Sequence, residues 1–349
     1  MRTLHVVLPA GVDDPASPSG GNRYDRRACE RLATLGWQVI EHTVDGDWPR
    51  PDTARLAGLA AVLSAVPDGG LILLDGLVAC AAPEVVVPAS ARLRLAVLVH
   101  LPLVDEAGDI DLDARERATL RAVAAVIATS EGAARHLAER HGLDRVHVAA
   151  PGVDPASLST GTVTGSRLLC VAAVIPRKAP DVLLSALATL TDLDWRCTFA
   201  GALDRDPAYT ARVTATAGEL GGRVDFAGPL VGADLDARYA GADLLVLPSH
   251  AETYGMVVTE ALARGIPVLA TEVGGVPEAL GWARGPSGAI RPGMLVPPGD
   301  PAALADTLRR WLTQPETRVN LRAAATARRS TLDGWDATTR SLTAVLDAL

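Results

Sequence analysis

Short apolar runs alternate with amphipathic stretches along the whole chain. Residues 5–9, 37–41, 71–74, 93–99, 125–128 and 146–149 are rich in Val, Leu, Ile and Ala and too short for helices, so they predict strands. Their apolar positions are largely consecutive rather than alternate. Both faces of the resulting sheet must therefore be covered, as in parallel strands joined by crossover helices. Helical patterns lie between them, such as 24–35, closed by Gly36 where a left-handed helix end is easiest. After Pro151-Gly152 the stretch PASLSTGTVTGS has neither period and predicts an interdomain linker. The alternation then restarts, with strands expected at 168–174, 196–200, 224–226, 244–247, 267–270 and near Leu295-Val296, and helices at 182–190 and 256–263. No short repeat interrupts this order. The pattern predicts an α/β protein of two doubly wound Rossmann-like domains facing across a cleft, spanning 1–155 and 167–330, with a linker at 156–166 and a final helical stretch at 331–349. In such sheets ligands sit beyond the carboxyl ends of the strands, so the loops there are the ones to read for chemistry.

Composition agrees with that picture and removes several others. A chain of 349 residues with 48% hydrophobic and 21% charged positions fits two ordinary globular domains and excludes disorder, collagen or a disulfide scaffold. Cys29, Cys80, Cys170 and Cys197 are far apart and ungrouped with histidine, so they are expected to be reduced and buried. No apolar run reaches the ~18 residues of a membrane span, and the opening MRTLHVVLPAG suits a first strand better than a signal peptide. A cytoplasmic location is the expectation. The net charge of −8 disfavours a general nucleic-acid binder. Residues 1–165 carry 15 Arg and no Lys against 21 acidic residues, and Lys178 is the one lysine among 33 cations.

Three loops carry candidate chemistry. In Ile175-Pro176-Arg177-Lys178-Ala179-Pro180-Asp181, Pro180 suits the first turn of a helix, which leaves Arg177 and Lys178 beside its exposed N–H groups. Side-chain charge and helix dipole there both favour an anion, a phosphate site in outline. Spacing alone equally allows two solvated cations in a surface turn. In ADLLVLPSHAETYGMVVTEALARGIPVL, a buried strand ends at Pro248-Ser249, a loop carries His250 and Glu252, and Gly255 opens a helix, flanked by Tyr254 and Met256. Glu260 falls about one and a half turns into that helix among apolar neighbours, where an unpaired carboxylate would be costly. The third loop, Glu272-Val273-Gly274-Gly275-Val276-Pro277-Glu278, has paired glycines that let a backbone approach a ligand or simply turn tightly.

Taken together, PSHAETYGMVVTEALARGIPVLATEVGGVPE, RKAPDVLLSAL, VDFAGPL and GMLVPPGDPAALADTL resemble family four of the retaining glycosyltransferases, which have the GT-B fold. The likeness covers most of residues 166–312 in the correct order. It is looser in the first half, at Gly20-Gly21-Asn22 before a helix, His100 ending a strand, Thr129-Ser130 and Pro151-Gly152-Val153-Asp154. The resemblance implies that Glu252 faces the donor sugar, that Glu260 holds the ribose of the nucleotide and that Lys178 neutralises the donor diphosphate. It implies that His100 lies near the reacting centre and that Gly20 and Gly21 form the loop the diphosphate approaches. Asn22 and Tyr24 then fall on the acceptor side, and Arg177, Tyr254, Gly255 and Met256 on the donor side. It also implies that the helix from Trp335 returns to the first domain. One departure stands out. The family's arginine before the lysine is replaced at Ala173, and Arg177 is the candidate to supply the missing charge.

The activity implied is transfer of a sugar from a nucleotide donor, a UDP- or GDP-sugar, to an acceptor hydroxyl with retention of configuration. The acceptor would be a small molecule, a glycan or a lipid-linked sugar. Asp-x-Asp strings occur at Asp109, Asp111 and Asp113, at Asp192 and Asp194, at Asp204 and Asp206, and at Asp234 and Asp236. In an acid-rich chain these arise easily in polar loops, so no metal and no other cofactor is expected. A nucleotide-sugar epimerase, a cofactor-free disaccharide phosphorylase and a non-catalytic nucleotide-sugar binder remain open. Arg23, Arg26, Arg27 and Arg31 recur at helical spacing and suit a solvated helix with an acceptor-side role for its first turn, with contact to an acidic membrane surface or a phosphorylated acceptor as the alternatives. His5, His42, His136, His141 and His147 are expected at the surface or at strand ends.

Overall fold

A computed structural model describes residues 2–107, 110–285 and 288–349; Asp109 of the first Asp-x-Asp string lies outside them. The chain divides into two compact units. Unit 1 takes the described residues up to Asp14, then Ser19–Gly152 and Asp333–Leu349; unit 2 takes Pro15–Pro18 and Val153–Leu332.

Unit 1 alternates strands and helices: β1 (Arg2–Pro9), α1 (Gly20–Thr34), β2 (Trp37–Val44), α2 (Thr53–Ala65), β3 (Leu71–Asp75), α3 (Gly76–Ala79), α4 (Pro83–Ala89), β4 (Arg94–Val99), α5 (Leu103–Ala107), α6 (Ile110–Ala122), β5 (Ala125–Ala128), α7 (Glu131–His141) and β6 (His147–Val148). The six strands pair in parallel in the order β2-β1-β3-β4-β5-β6. Val7, Ile72, Leu74, Val97 and Val126 lie in one core.

Unit 2 repeats the plan with β7 (Arg167–Val171), α8 (Pro180–Ala188), β8 (Arg196–Ala200), α9 (Pro207–Gly218), β9 (Val224–Gly228), α10 (Gly232–Ala240), β10 (Leu244–Leu247), α11 (Met256–Ala263), β11 (Val268–Thr271), α12 (Val276–Leu280), β12 (Ala283–Gly285), β13 (Gly288–Ile290), β14 (Gly293–Val296), α13 (Pro301–Thr313) and α14 (Pro315–Arg329). Its parallel sheet runs β14-β11-β10-β7-β8-β9, and β12 and β13 form a separate antiparallel pair. Alternate residues feed two cores. Leu168, Cys170, Leu244 and Val246 pack on one side, and Leu169, Leu245 and Leu247 on the other. This division explains the consecutive apolar runs: the central strands β7 and β10 are buried on both faces. The chain ends in unit 1 with α15 (Trp335–Asp347), whose Trp335 ring meets Tyr24 of α1 edge-on at 5.6 Å. Thr338 Oγ1 of α15 donates to Ala150 O at 2.7 Å.

The fold is the two-domain α/β architecture the pattern predicts, with local differences. Gly20 and Gly21 are not before a helix; they form its first turn, because Ser19 caps α1 by accepting from Asn22 N. The stretch 156–166 lies on unit 2, where Asp243 accepts from Thr162 N at 2.5 Å, Thr162 Oγ1 at 2.6 Å and Arg167 N at 2.9 Å. All four cysteines are buried and unpaired with one another. His141 is not at the surface: its Nε2 lies 2.9 Å from Glu116 Oε2, and both side chains are fully buried.

Candidate functional site

In unit 2 the strand order reverses between β7 and β10, since the chain runs outward through β8 and β9 on one side and through β11 and β14 on the other. A crevice beyond the carboxyl ends is the natural ligand site at such a reversal. Both loops that leave this point carry predicted residues. Arg177 and Lys178 follow β7 in a single 3-10 turn, Pro176–Lys178. Ala179 closes that turn at φ 49°, the one positive φ of a non-glycine residue among the described positions, and Pro180 then starts α8. Glu252 follows β10.

The two loops are laced together. His250 N donates to Arg177 O at 2.8 Å, and Arg177 Nη1 donates to Ala251 O at 3.3 Å. Lys178 Nζ donates to Glu252 Oε1 at 2.6 Å, and Ser249 Oγ donates to the same oxygen at 2.8 Å. Burial opposes ionisation of Glu252, but the Lys178 ammonium, with Arg177 and the Ser249 hydroxyl, holds its carboxyl below the usual carboxylate range. The third loop clamps the second: Gly275 N donates to Glu252 O at 3.2 Å, and a Cβ on Gly274 would lie 1.7 Å from that carbonyl oxygen. Here the paired glycines answer to a close backbone approach.

Gly255 takes φ 87° to open α11, with Tyr254 and Met256 half-buried on either side. Glu260 is the fifth residue of α11, just past its first turn, and is 7% exposed. The cost of burying it is met by Tyr239, whose hydroxyl donates to Glu260 Oε2 at 2.9 Å, and Arg264 lies over the Tyr239 ring at 4.4 Å. Lys178 and Glu252 thus meet directly, while Glu260 is held by its own partner deeper in the helix.

The other predicted residues belong to unit 1, where the strand order reverses between β1 and β3. Gly20, Gly21, Asn22 and Tyr24 lie on the first turns of α1, and His100 follows β4. Tyr24 Oη donates to Ala149 O at 2.8 Å, and its ring stands edge-on to His100 with centroids 5.2 Å apart. Gly21 lets that imidazole close in, since a Cβ there would sit 3.2 Å from His100 Cδ2. Two residues the sequence did not single out complete this corner. Asp25 Oδ1 lies 2.8 Å from His100 Nε2, and Asp75 Oδ2 lies 3.7 Å from it. A signal existed: Asp75 is an acid ending an otherwise apolar strand.

One aspartate of each Asp-x-Asp string has a partner of its own. Asp113 pairs with Arg117 and Arg140, Asp192 with Arg309, and Asp236 with Arg264, while Asp206 caps α9 through Tyr209 N. Two clusters among the described residues, Asp25-Asp75-His100 and Asp113-Glu116-His141, gather three acid or imidazole atoms within 4.8 Å. In each the histidine nitrogen already faces a carboxylate partner, so neither is assigned a metal. Of the α1 arginines, Arg26 pairs with Asp13 and Glu41, Arg27 with Glu30 and Arg31 with Asp336, the solvated-helix arrangement. No helix among the described residues is long and apolar enough to cross a membrane.

Residues 162–328 match the family model described as Glycosyl transferases group 1. A D-inositol 3-phosphate glycosyltransferase of Frankia alni is 37% identical over 231 residues, covering 57% of this chain and 52% of its own length. The protein of the same name from Mycobacterium tuberculosis is 34% identical over 235 residues, covering 63% and 47%. The matched stretch thus spans about half the length of these curated relatives. Among solved structures, sucrose-phosphate synthase from Thermosynechococcus elongatus superposes with a TM-score of 0.81 at 22% identity, covering 100% of this chain and 99% of that one. Anabaena Alr3699/HepE in complex with UDP and glucose does so with a TM-score of 0.80 at 18% identity, covering 100% of both chains.

Proposed function

We propose that this chain, whose residues 162–328 match the family model of group 1 glycosyl transferases, moves a sugar from a nucleoside-diphosphate donor to an acceptor hydroxyl, with retention and without a metal ion. The observation that supports this most is the 2.6 Å pair between Lys178 and Glu252 at the reversal point of the unit 2 sheet. As the bond from the anomeric carbon to the donor phosphate breaks, negative charge grows on the departing diphosphate, and offsetting it is the main catalytic task. Lys178 and Arg177 supply positive charge, and the N-terminal N–H groups of α8 and α11 add their dipoles. Glu252 orients the donor sugar and Glu260 the ribose. The acceptor hydroxyl forms the new bond on the same face and gives its proton to the departing phosphate oxygen, so charge and atoms balance.

A UDP- or GDP-sugar is the proposed donor, and a polyhydroxylated small molecule, a glycan or a lipid-linked sugar the acceptor. The names of the curated relatives favour a cyclitol phosphate as the first acceptor to try, and the HepE complex favours UDP-glucose as the first donor. Four buried free thiols suit the reducing cytoplasm as the compartment.

The test is a thermal-shift panel of UDP-, GDP- and ADP-sugars, followed by product analysis by NMR with chelator present. One nucleotide class should raise the melting temperature, and Lys178→Ala should abolish that rise. The product should keep the donor's anomeric configuration at an undiminished rate in chelator. No stabilisation by any nucleotide sugar would overturn the reading, and a strict Mg or Mn requirement would overturn its metal-free form.

A further inference from the structure

The unit 1 corner contains more acid than its hydrogen bonds account for. Asp25 is 3% exposed and Asp75 6%, and they share one imidazole. Asp75 Oδ1 caps α3, accepting from Leu77 N at 2.7 Å and Val78 N at 3.3 Å, so that oxygen is committed to accepting. Its other oxygen, Oδ2, faces His100. Asp25 Oδ1 is taken by His100, but Asp25 Oδ2 is buried without a hydrogen-bond partner. Two buried carboxylates side by side cannot both ionise cheaply. A single proton resolves both difficulties: placed on Asp75 Oδ2, it removes one negative charge and gives Asp25 Oδ2 a donor.

We propose that Asp25 is a positioning residue that bridges a protonated Asp75 to His100 and holds the imidazole in its cationic form, so that unit 1 presents a fixed positive charge to the oxygen-rich substrate. The arrangement is rigid because its members come from separate elements. Asp25 is on α1, whose Tyr24 is anchored to Ala149 O, and Asp75 is at the β3–α3 junction. A Cβ on Gly76 at that junction would lie 2.9 Å from Leu98 O, so the turn has no slack. Burial, and then the neighbouring Asp25, push the Asp75 carboxyl up to about 7. Burial would lower His100, but Asp25 and then Asp75 outweigh it and carry the imidazole to about 8. The other titratable groups facing this corner are Tyr24 and Cys29 on α1 and Cys80 beyond α3, and burial raises all three, leaving them neutral at pH 7. The Arg26 guanidinium nearby is committed to Asp13 and Glu41.

The inference rests on the transferase reading only for what the charge meets, and its test needs neither donor nor acceptor. Histidine resonances of the full chain are titrated by NMR, with His100 assigned from the signal lost in His100→Gln. In the wild type His100 should titrate well above its ordinary 6.5. Asp75→Asn should lower it by less than about 0.5, since Asp75 acts on the imidazole only from 3.7 Å and contributes least to its rise, whereas Asp25→Asn should lower it by about 1 or more. Equal drops in the two variants would mean two ionised carboxylates and would overturn the assignment, as would a wild-type value at or below 6.5. Should Asp25→Asn not fold, the wild type and Asp75→Asn still decide. If sugar transfer is the reaction, Asp25→Asn should also lower kcat at least about tenfold with little change in donor KM. Failure of transfer with the titrations intact would count against the function and not against the proton.

Discussion

A lysine ammonium 2.6 Å from a largely buried carboxylate forms a pair whose members depend on each other, because removing either leaves the other charge desolvated and unmatched. Lys178→Met should therefore act twice. Nucleotide-sugar affinity should fall by about 30- to 1,000-fold, the equivalent of roughly 2–4 kcal/mol, as read by calorimetry. The Glu252 carboxyl should also lose its depression below the ordinary 4.5. In the wild type that depression stabilises the fold above pH 4.5 and is lost as the pH falls through the folded value, so Lys178→Met should flatten the acid limb of the stability profile. The motif around Glu252 was legible in the sequence because its residues are local to one strand–loop–helix unit. The Asp25-Asp75-His100 corner was only partly legible. Its three members are separated by dozens of residues, and only the order of β1, β3 and β4 brings them together.

Elements were readable where burial on two faces imposes a run of apolar residues. The strands at 125–128, 196–200 and 244–247 and the helix at 256–263 fall where the pattern puts them. The β12–β13 pair escaped notice because each strand has only three residues, too few for either period to register. Two loops carry element-scale predictions. Gly274→Ala would drive a methyl group into the Glu252 carbonyl, so the loop carrying Glu252 must shift. Donor affinity should fall at least about tenfold by calorimetry, while far-UV circular dichroism stays unchanged. Asp243, 1% exposed, holds residues 162–167 against the start of β10 through three hydrogen bonds. Asp243→Ala should cost about 2–4 kcal/mol in denaturant titration, because two backbone N–H groups and a hydroxyl lose their acceptor.

Over the whole molecule, the unit 1 acids impose a pH trend opposite in sign to that of Glu252. Asp75 titrates at about 7 when folded against 3.8 in the open chain, and His100 at about 8 against 6.5. The folded state therefore holds more protons than the unfolded one across that range, and this cluster's contribution is greatest below pH 3.8 and is lost as the pH rises to about 8. Relative to Asp75→Asn, the wild type should lose on the order of 1 kcal/mol or more of stability between roughly pH 4 and 7, measured by urea unfolding at each pH. A gain over that interval would count against a protonated Asp75. The chain path carries a further consequence. Unit 1 is closed by α15, which is separated from the rest of that unit by Val153–Leu332. During translation every residue of unit 2 leaves the ribosome before Trp335 can reach Tyr24. A released chain ending at Leu332 should thus expose α1 to protease while unit 2 resists it, and unit 1 would be the last to mature.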